Sequence, residues 1–228
     1  MAILLHIETA TPVCSIALGI DGDCVSYKEL IKENSHSSLV TVMIDELLKE
    51  QGLTTAQLNA IAISYGPGSY TGLRIGTSVA KGMCYALDIP LLAVSTLKSM
   101  AWGMRQTYGG DQNTLYCPMI DARRMEVYAS IVDARLVSVL DDSAVILDEH
   151  SFEALLQNKT IVFAGDGSIK AKTVITNDNA VFIETQASSR WMCELAANAY
   201  REQAFADTAY FTPYYLKEFQ TTVPRKKV

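Results

Sequence analysis

Apolar and polar positions along this chain alternate between strand-like and helix-like periods. Two short apolar runs come first, ILLHIE (3–8), closed by TATP, and VCSIALGI (13–20); after the turn DGD comes CVSYKEL. Strand, turn, strand, turn, strand predicts a β-meander. NSHSS then offers N-cap side chains to LVTVMIDELLKEQG, a helix that Gly52 should end. LNAIAIS (58–64) and IPLLAVS (89–95) predict buried strands, with a helix between them to about Leu87 and a further helix, TLKSMAWGMRQTY, after them. Strands joined by helices imply parallel pairing in an α/β sheet.

The pattern restarts near Gly109-Gly110-Asp111. LYCPMIDARRMEVYASIVD again predicts strand, acid-bearing turn, strand. SFEALLQN predicts a helix, TIVFAGDG a strand and turn, AVFIE a strand, and the stretch from about Ser188 to Phe205 a helix. FTPYYLKEF is extended by its proline, and PRKKV should fray. Ile7-Glu8-Thr9 and Ile120-Asp121-Ala122 hold the same place in each half, a buried strand ending in an acid before a short turn. That fits an internal repeat, but strand–acid–turn–strand is also a common arrangement, and both readings stay open.

Two helices carry more than a single core stripe. In the first, Leu39, Met43 and Leu47 form one apolar row and Val40, Ile44 and Leu48 a second. In the helix before Leu87, Gly72, Gly76 and Ala80 form one small row and Ser78, Gly82 and Ala86 another. Glycine inside a helix costs about 1 kcal/mol relative to alanine, so three of them need a packing reason. Either the chain's own sheet or a partner helix would supply it.

Composition narrows the field. Hydrophobic residues make up 49% and charged residues 19% of 228, ample for a core, and the net charge of −6 speaks against stand-alone binding of nucleic acid. The cysteines at 14, 24, 84, 117 and 193 form no C-x-x-C pair and read as reduced, buried thiols. The N-terminus lacks the basic region of a signal peptide, and no apolar stretch reaches the ~18 residues of a membrane span. A cytoplasmic protein without membrane contact is expected.

The candidate chemistry gathers on turns. YGPGSYTGLRIG (65–76) leads into a helix, where free N–H groups bind anions. It lacks the lysine and spacing of G-x-x-x-x-G-K-[ST] and does not fit G-x-G-x-x-G. A strand-to-helix elbow needing positive φ is the other reading. Glu8 and Asp121 are either paired acids at a shared cleft or hairpin-end acids bonded to turn N–H groups, and Gly165-Asp166-Gly167 is either a nucleotide cradle or a strand-end turn. His6 is expected in the core, His36 at a helix cap or interface, and His150 on the surface. No H-x-x-x-H, H-E-x-x-H or G-x-S-x-G occurs, so no metal, cofactor or catalytic nucleophile is expected.

GPGSYTGLRIGTSVAKGMCYALDIPLLAVSTL, with HIETATPVCSIALG before it and IDARRMEVYAS after it, resembles the TsaB (YeaZ) family. HSSLV and YYLKEF also fit. The resemblance implies an α/β fold of two duplicated lobes, 1–108 and 109–228, of the acetate/sugar kinase–Hsc70–actin (ASKHA, RNase H-like) superfamily, with the last helix able to pack back on the first lobe. It implies a non-catalytic partner of the paralogue TsaD, which transfers threonylcarbamoyl to adenosine 37 of tRNA (t6A) with the ATPase TsaE. Such a chain would pair with itself when alone and meet tRNA only through the complex. The metal-binding histidines of the paralogue would fall on Thr96 and Met100. The partner-facing residues implied are His36, Leu39, Met43, Leu47, Tyr70, Thr71, Arg74, Ile75 and Ser78. Glu8, Gly66, Gly68, Asp121, Gly165 and Gly167 would line a vestigial nucleotide cleft. Tyr70 stands where Phe is more usual and Glu8 where Asp is frequent, which weakens any inherited phosphate role. The rival readings are an ATP-dependent small-molecule kinase of the same fold and, behind it, a metallopeptidase.

Overall fold

The computed structural model describes residues 1–31 and 36–217, with the side chains of 36–38 left out. The NSHSS cap, the His36 side chain and the PRKKV tail therefore lie outside the described residues.

The meander forms as expected: β1 (Ile3–Glu8), β2 (Val13–Ile20) and β3 (Asp23–Ile31) pair antiparallel. Helix α1 (His36–Glu50) ends at Gly52, whose φ of 64° lets the Leu53 N–H reach back to the Leu48 carbonyl at 2.9 Å. After a single turn at Thr55–Gln57 comes β4 (Ala60–Gly66), parallel to β1, then α2 (Tyr70–Leu87) and β5 (Leu91–Ser95), parallel to β4. Both strands start two residues later than the apolar runs. α3 (Thr96–Tyr108) starts at Ser95, whose Oγ accepts from Lys98 N at 3.2 Å, and ends at Gly109.

The second half repeats this plan. β6 (Thr114–Asp121), β7 (Glu126–Val132) and β8 (Ser138–Ile146) form an antiparallel meander. α4 (Glu153–Leu156), β9 (Thr160–Ala164), α5 (Ser168–Ala171) and β10 (Ala180–Phe182) follow. A turn at Ser189–Met192 leads into α6 (Cys193–Arg201). The strand orders are β3-β2-β1-β4-β5 and, reversed, β8-β7-β6-β9-β10, with β6–β9 and β9–β10 parallel as β1–β4 and β4–β5 are. The duplication left open by sequence is present in the topology. β8, SVLDDSAVI, was not expected as a strand: its two aspartates and two serines suit an edge that the alternation of apolar residues does not announce. The helix expected over 151–158 is a single turn, and the last helix stops at Arg201, short of Phe205.

Each sheet is covered on both faces. Leu5, Ile7, Ile16 and Ile63 pack under α1 and α2, while Leu4, Ala62 and Val94 pack on Ala196 and Ala197 of α6 and on Met192 of the turn before it. α3 places Ala101 and Met104 against Tyr116, Val162 and Ala164 of the second sheet. The helix after the first sheet thus covers the second, and the helix after the second covers the first.

Candidate functional site

The glycine loop launches α2 from the end of β4. Gly66 has φ of 119°, and a Cβ there would stand 2.5 Å from the Tyr214 carbonyl oxygen. A Cβ on Gly68 would strike the Ala10 carbonyl oxygen; one on Gly72 the Thr9 carbonyl oxygen; one on Gly76 the Thr9 Oγ1. The Ser69 N–H donates to Ala10 O at 2.6 Å, and Thr9 Oγ1 donates to Gly72 O at 2.8 Å. The loop is an elbow filled by the β1–β2 turn. The row Gly72, Gly76, Ala80 is buried against Thr9 and Ile63 of the same chain, so the partner-helix reading of that row is wrong. Gly66, Gly68 and Gly72 lie under a backbone carbonyl, and Gly76 under the Thr9 and Ile63 side chains, so a Cβ fits at none of them.

The outer face of α2 is different. Thr71, Arg74, Ser78, Gly82, Tyr85 and Ala86 are exposed, Gly82 has no atom within 4 Å of a built Cβ, and Tyr85 is 87% exposed. Tyr70 and Ile75 are half-buried, and the Arg74 guanidinium lies 5.1 Å over the Tyr70 ring. On α1 the two apolar rows are consumed within the chain: Met43 is 7% and Leu47 0% exposed, and both join the core under the helix with Val40, Ile44 and Leu48. Leu39 packs against the same core, half-buried. Of α1's apolar residues Val42 is left outward, 49% exposed. Met43 and Leu47 therefore have no surface to offer a partner.

The two strand-end acids have separate surroundings. Glu8 is 0% exposed, and its Oε1 accepts from Ala10 N at 2.6 Å and from Ser64 Oγ at 2.8 Å, while Oε2 has no partner. Burial raises its pKa to about 7 against the pull of those bonds. Asp121 is exposed; its Oδ1 accepts from Arg123 N at 2.6 Å and Lys170 Nζ at 2.8 Å. Glu8 faces no cleft, so the two do not act as a pair across one. In the second lobe Gly165, at φ 95°, and Gly167 lie against Met119 and Ile120, a strand-end turn that packs on β6. Sequence reasoning missed Lys170, which also donates to the Arg124 and Glu126 carbonyls at 2.8 and 2.6 Å. It holds a turn in which Arg123 and Arg124 both take positive φ, 70° and 49°.

The tail after α6 was expected to be extended, but its docking on the first lobe was missed. Ala206 bridges Leu91 at the edge of the first sheet, and Lys81 Nζ donates to the Ala209 and Phe211 carbonyls, each at 3.0 Å. Tyr214 N donates to Tyr65 O at 2.8 Å, the Tyr215 ring lies tilted against Tyr70 with centroids 4.6 Å apart, and Lys217 pairs with Glu126 of β7. Its signal was the Pro-Tyr-Tyr-Leu-Lys run: two aromatics beside a fixed φ.

Thr96 and Met100 open α3 fully buried, with Met100 packed beside Leu97, Ile120 and Ala187. Among the described residues no group of three or more His, Cys, Asp or Glu side chains is placed to hold a metal ion. No helix among them is long and apolar enough to cross a membrane.

The family model described as TsaD, tRNA N6-adenosine threonylcarbamoyltransferase, matches residues 30–225. The Bacillus subtilis tRNA threonylcarbamoyladenosine biosynthesis protein TsaB is 30% identical over 220 residues, 94% of this chain and 93% of that protein. The chain belongs to the TsaB (YeaZ) family. The Escherichia coli TsaB is 38% identical over 125 residues; the match spans 55% of this chain and about half, 52%, of that relative. The structure of YeaZ from Pseudomonas aeruginosa, 25% identical, superposes with a TM-score of 0.81 over 95% of this chain and all of the other. An activator of 2-hydroxyisocaproyl-CoA dehydratase from Clostridium difficile, 9% identical, shares the fold at a TM-score of 0.50 over 89% of this chain and 96% of its own. This TsaB-family chain thus has the two-lobed α/β fold of the acetate/sugar kinase–Hsc70–actin superfamily.

Proposed function

We propose that this chain is a non-catalytic subunit in the formation of t6A at adenosine 37 of tRNA. It binds and orders a TsaD-like catalytic subunit, works beside a TsaE-like ATPase, and reaches tRNA through the complex in the cytoplasm. The observation that carries this reading is the end-to-end match with the Bacillus subtilis protein named for tRNA threonylcarbamoyladenosine biosynthesis. The geometry is in keeping with a binding role. The loop glycines are filled by the chain's own backbone, and Glu8 is sealed, which leaves a kinase no open acid at the first strand end. The docking face is assigned to the outer side of α2: Thr71, Arg74, Ser78, Gly82 and Tyr85. The same face would pair two copies when the chain is alone.

The test is co-purification with a TsaD-like subunit, followed by a t6A assay with and without this chain. The reading expects a stable complex and no t6A in its absence. Full t6A formation without this chain would refute it, and so would micromolar Mg-ATP binding coupled to phosphorylation of a small molecule.

A further inference from the structure

A second feature lies away from α2. Cys193 opens α6 with its Sγ directly over Gly19: a Cβ built there would stand 3.3 Å from that sulfur. The cross-strand partner of Gly19 in the β2–β3 register is Cys24. The absent side chain at Gly19 makes room for the His6 ring, whose Cε1 a Cβ there would meet at 2.7 Å, and for the Cys193 thiol, which therefore lies on the sheet face that Cys24 shares with Gly19. Cys24 is exposed, while Cys193 and the three other cysteines, 14, 84 and 117, are buried. His6 Nδ1, which donates to Ala17 O at 3.3 Å, lies 3.8 Å from the Cys193 sulfur. The neighbouring Cys193 thiol, and after it the Arg190 cation, hold the Cys24 thiol below its ordinary pKa against burial and the Glu29 charge. An exposed thiol beside a cation, with a second thiol behind it, is the arrangement of a reactive cysteine and its resolving partner.

We propose that Cys24 and Cys193 form a reversible disulfide that locks α6 onto the edge strand β3, with a hydroperoxide as oxidant. The Cys24 thiolate attacks a peroxide oxygen; the O–O bond breaks, hydroxide leaves and takes up a proton, and Cys24 becomes a sulfenic acid. The Cys193 thiol attacks that sulfur, forms the S–S bond and loses its proton as the hydroxyl departs as water. Two thiols and one hydrogen peroxide give one disulfide and two waters. A thiol reductant reverses the lock. The bridge would close a loop of 170 of the 228 residues, joining the first sheet's edge strand to the helix that precedes the tail.

The experiment treats the full chain with hydrogen peroxide at near-stoichiometric concentration and reads intact mass, peptide map and thermal midpoint. The expected result is loss of the mass of two hydrogens, a Cys24–Cys193 cross-linked peptide, and three alkylatable thiols after unfolding in place of the five of the reduced chain. The midpoint should rise by about 10 °C and fall back with dithiothreitol. Cys24→Ser should abolish both changes. Because Cys193→Ser alters a buried position, the peptide map of the wild-type chain is the deciding measurement. A stable sulfinic acid at Cys24 without a cross-link, or a Cys24–Cys24 bridge between two copies, would overturn the proposal.

Discussion

The two lobes share one strand plan and differ in what they hang on it. Between the third and fourth strands the first lobe has α1, of 15 residues, and the second has α4, of four. Between the fourth and fifth it has α2, of 18 residues, against four in α5. The strands and the exchanged helices α3 and α6 are common to both lobes. One-turn helices suffice to cover the second sheet, so the length of α1 and α2 exceeds what closing a sheet requires. That excess appears as the exposed outer side of α2. The strand-end acids teach a parallel lesson: the same topological place holds a sealed carboxyl at Glu8 and an ion-paired, exposed one at Asp121.

Substitutions that break this comparison can be ranked. Met43→Glu puts a charge without a partner into the first lobe's core and should cost more than about 4 kcal/mol. Chemical denaturation should then find no cooperative transition, whereas Ile169→Glu on the short helix α5, 71% exposed, should stay within about 0.5 kcal/mol of the parent.

Glu8→Gln sharpens the comparison of the acids. With a folded pKa of about 7 against 4.5, Glu8 keeps a proton that the unfolded chain has lost. Its contribution is complete below pH 4.5 and fades as pH rises through 7, a change on the order of 3 kcal/mol. His6 runs the other way: burial lowers it from 6.5 to about 4, so its contribution is complete above pH 6.5 and fades as pH falls through 4. The two slopes oppose each other between pH 4.5 and 6.5. In Glu8→Gln, stability followed by urea melts should climb steadily from pH 4 to 6.5. A slope unchanged from the parent would show that Glu8 is ionised throughout. Asp121→Asn should change stability by less than about 1 kcal/mol at any pH, as befits an exposed ion pair.

The glycines of α2 separate inner from outer face at smaller cost. Gly72→Ala drives a methyl into the Thr9 carbonyl and should cost about 1–3 kcal/mol, while Gly82→Ala should gain up to about 1 kcal/mol. Thermal melts of the two read the difference directly.

The repeating strand plan was legible because buried strands write themselves as short apolar runs, and α2 and α3 because helix-length segments follow two of those runs. β8 was not, since an edge strand carrying Asp141 and Asp142 has no apolar run to find. The site was legible in identity but not in direction. A row of small residues reads alike whether a partner helix or the chain's own turn lies over it, and only the position of Thr9 decides for Gly72 and Gly76. Likewise the two apolar rows of α1 reflect a helix seated between the sheet and α2, a depth of burial that periodicity alone does not separate from an interface.

The most direct measurement is the affinity of the chain for a TsaD-like catalytic subunit in two variants, Gly82→Arg on the outer face of α2 and Ile169→Arg on its counterpart α5. The account predicts a loss of about tenfold or more for Gly82→Arg, with a melting midpoint no lower than the parent's, and parental affinity for Ile169→Arg. Parental affinity in Gly82→Arg, or a matching loss in Ile169→Arg, would contradict it.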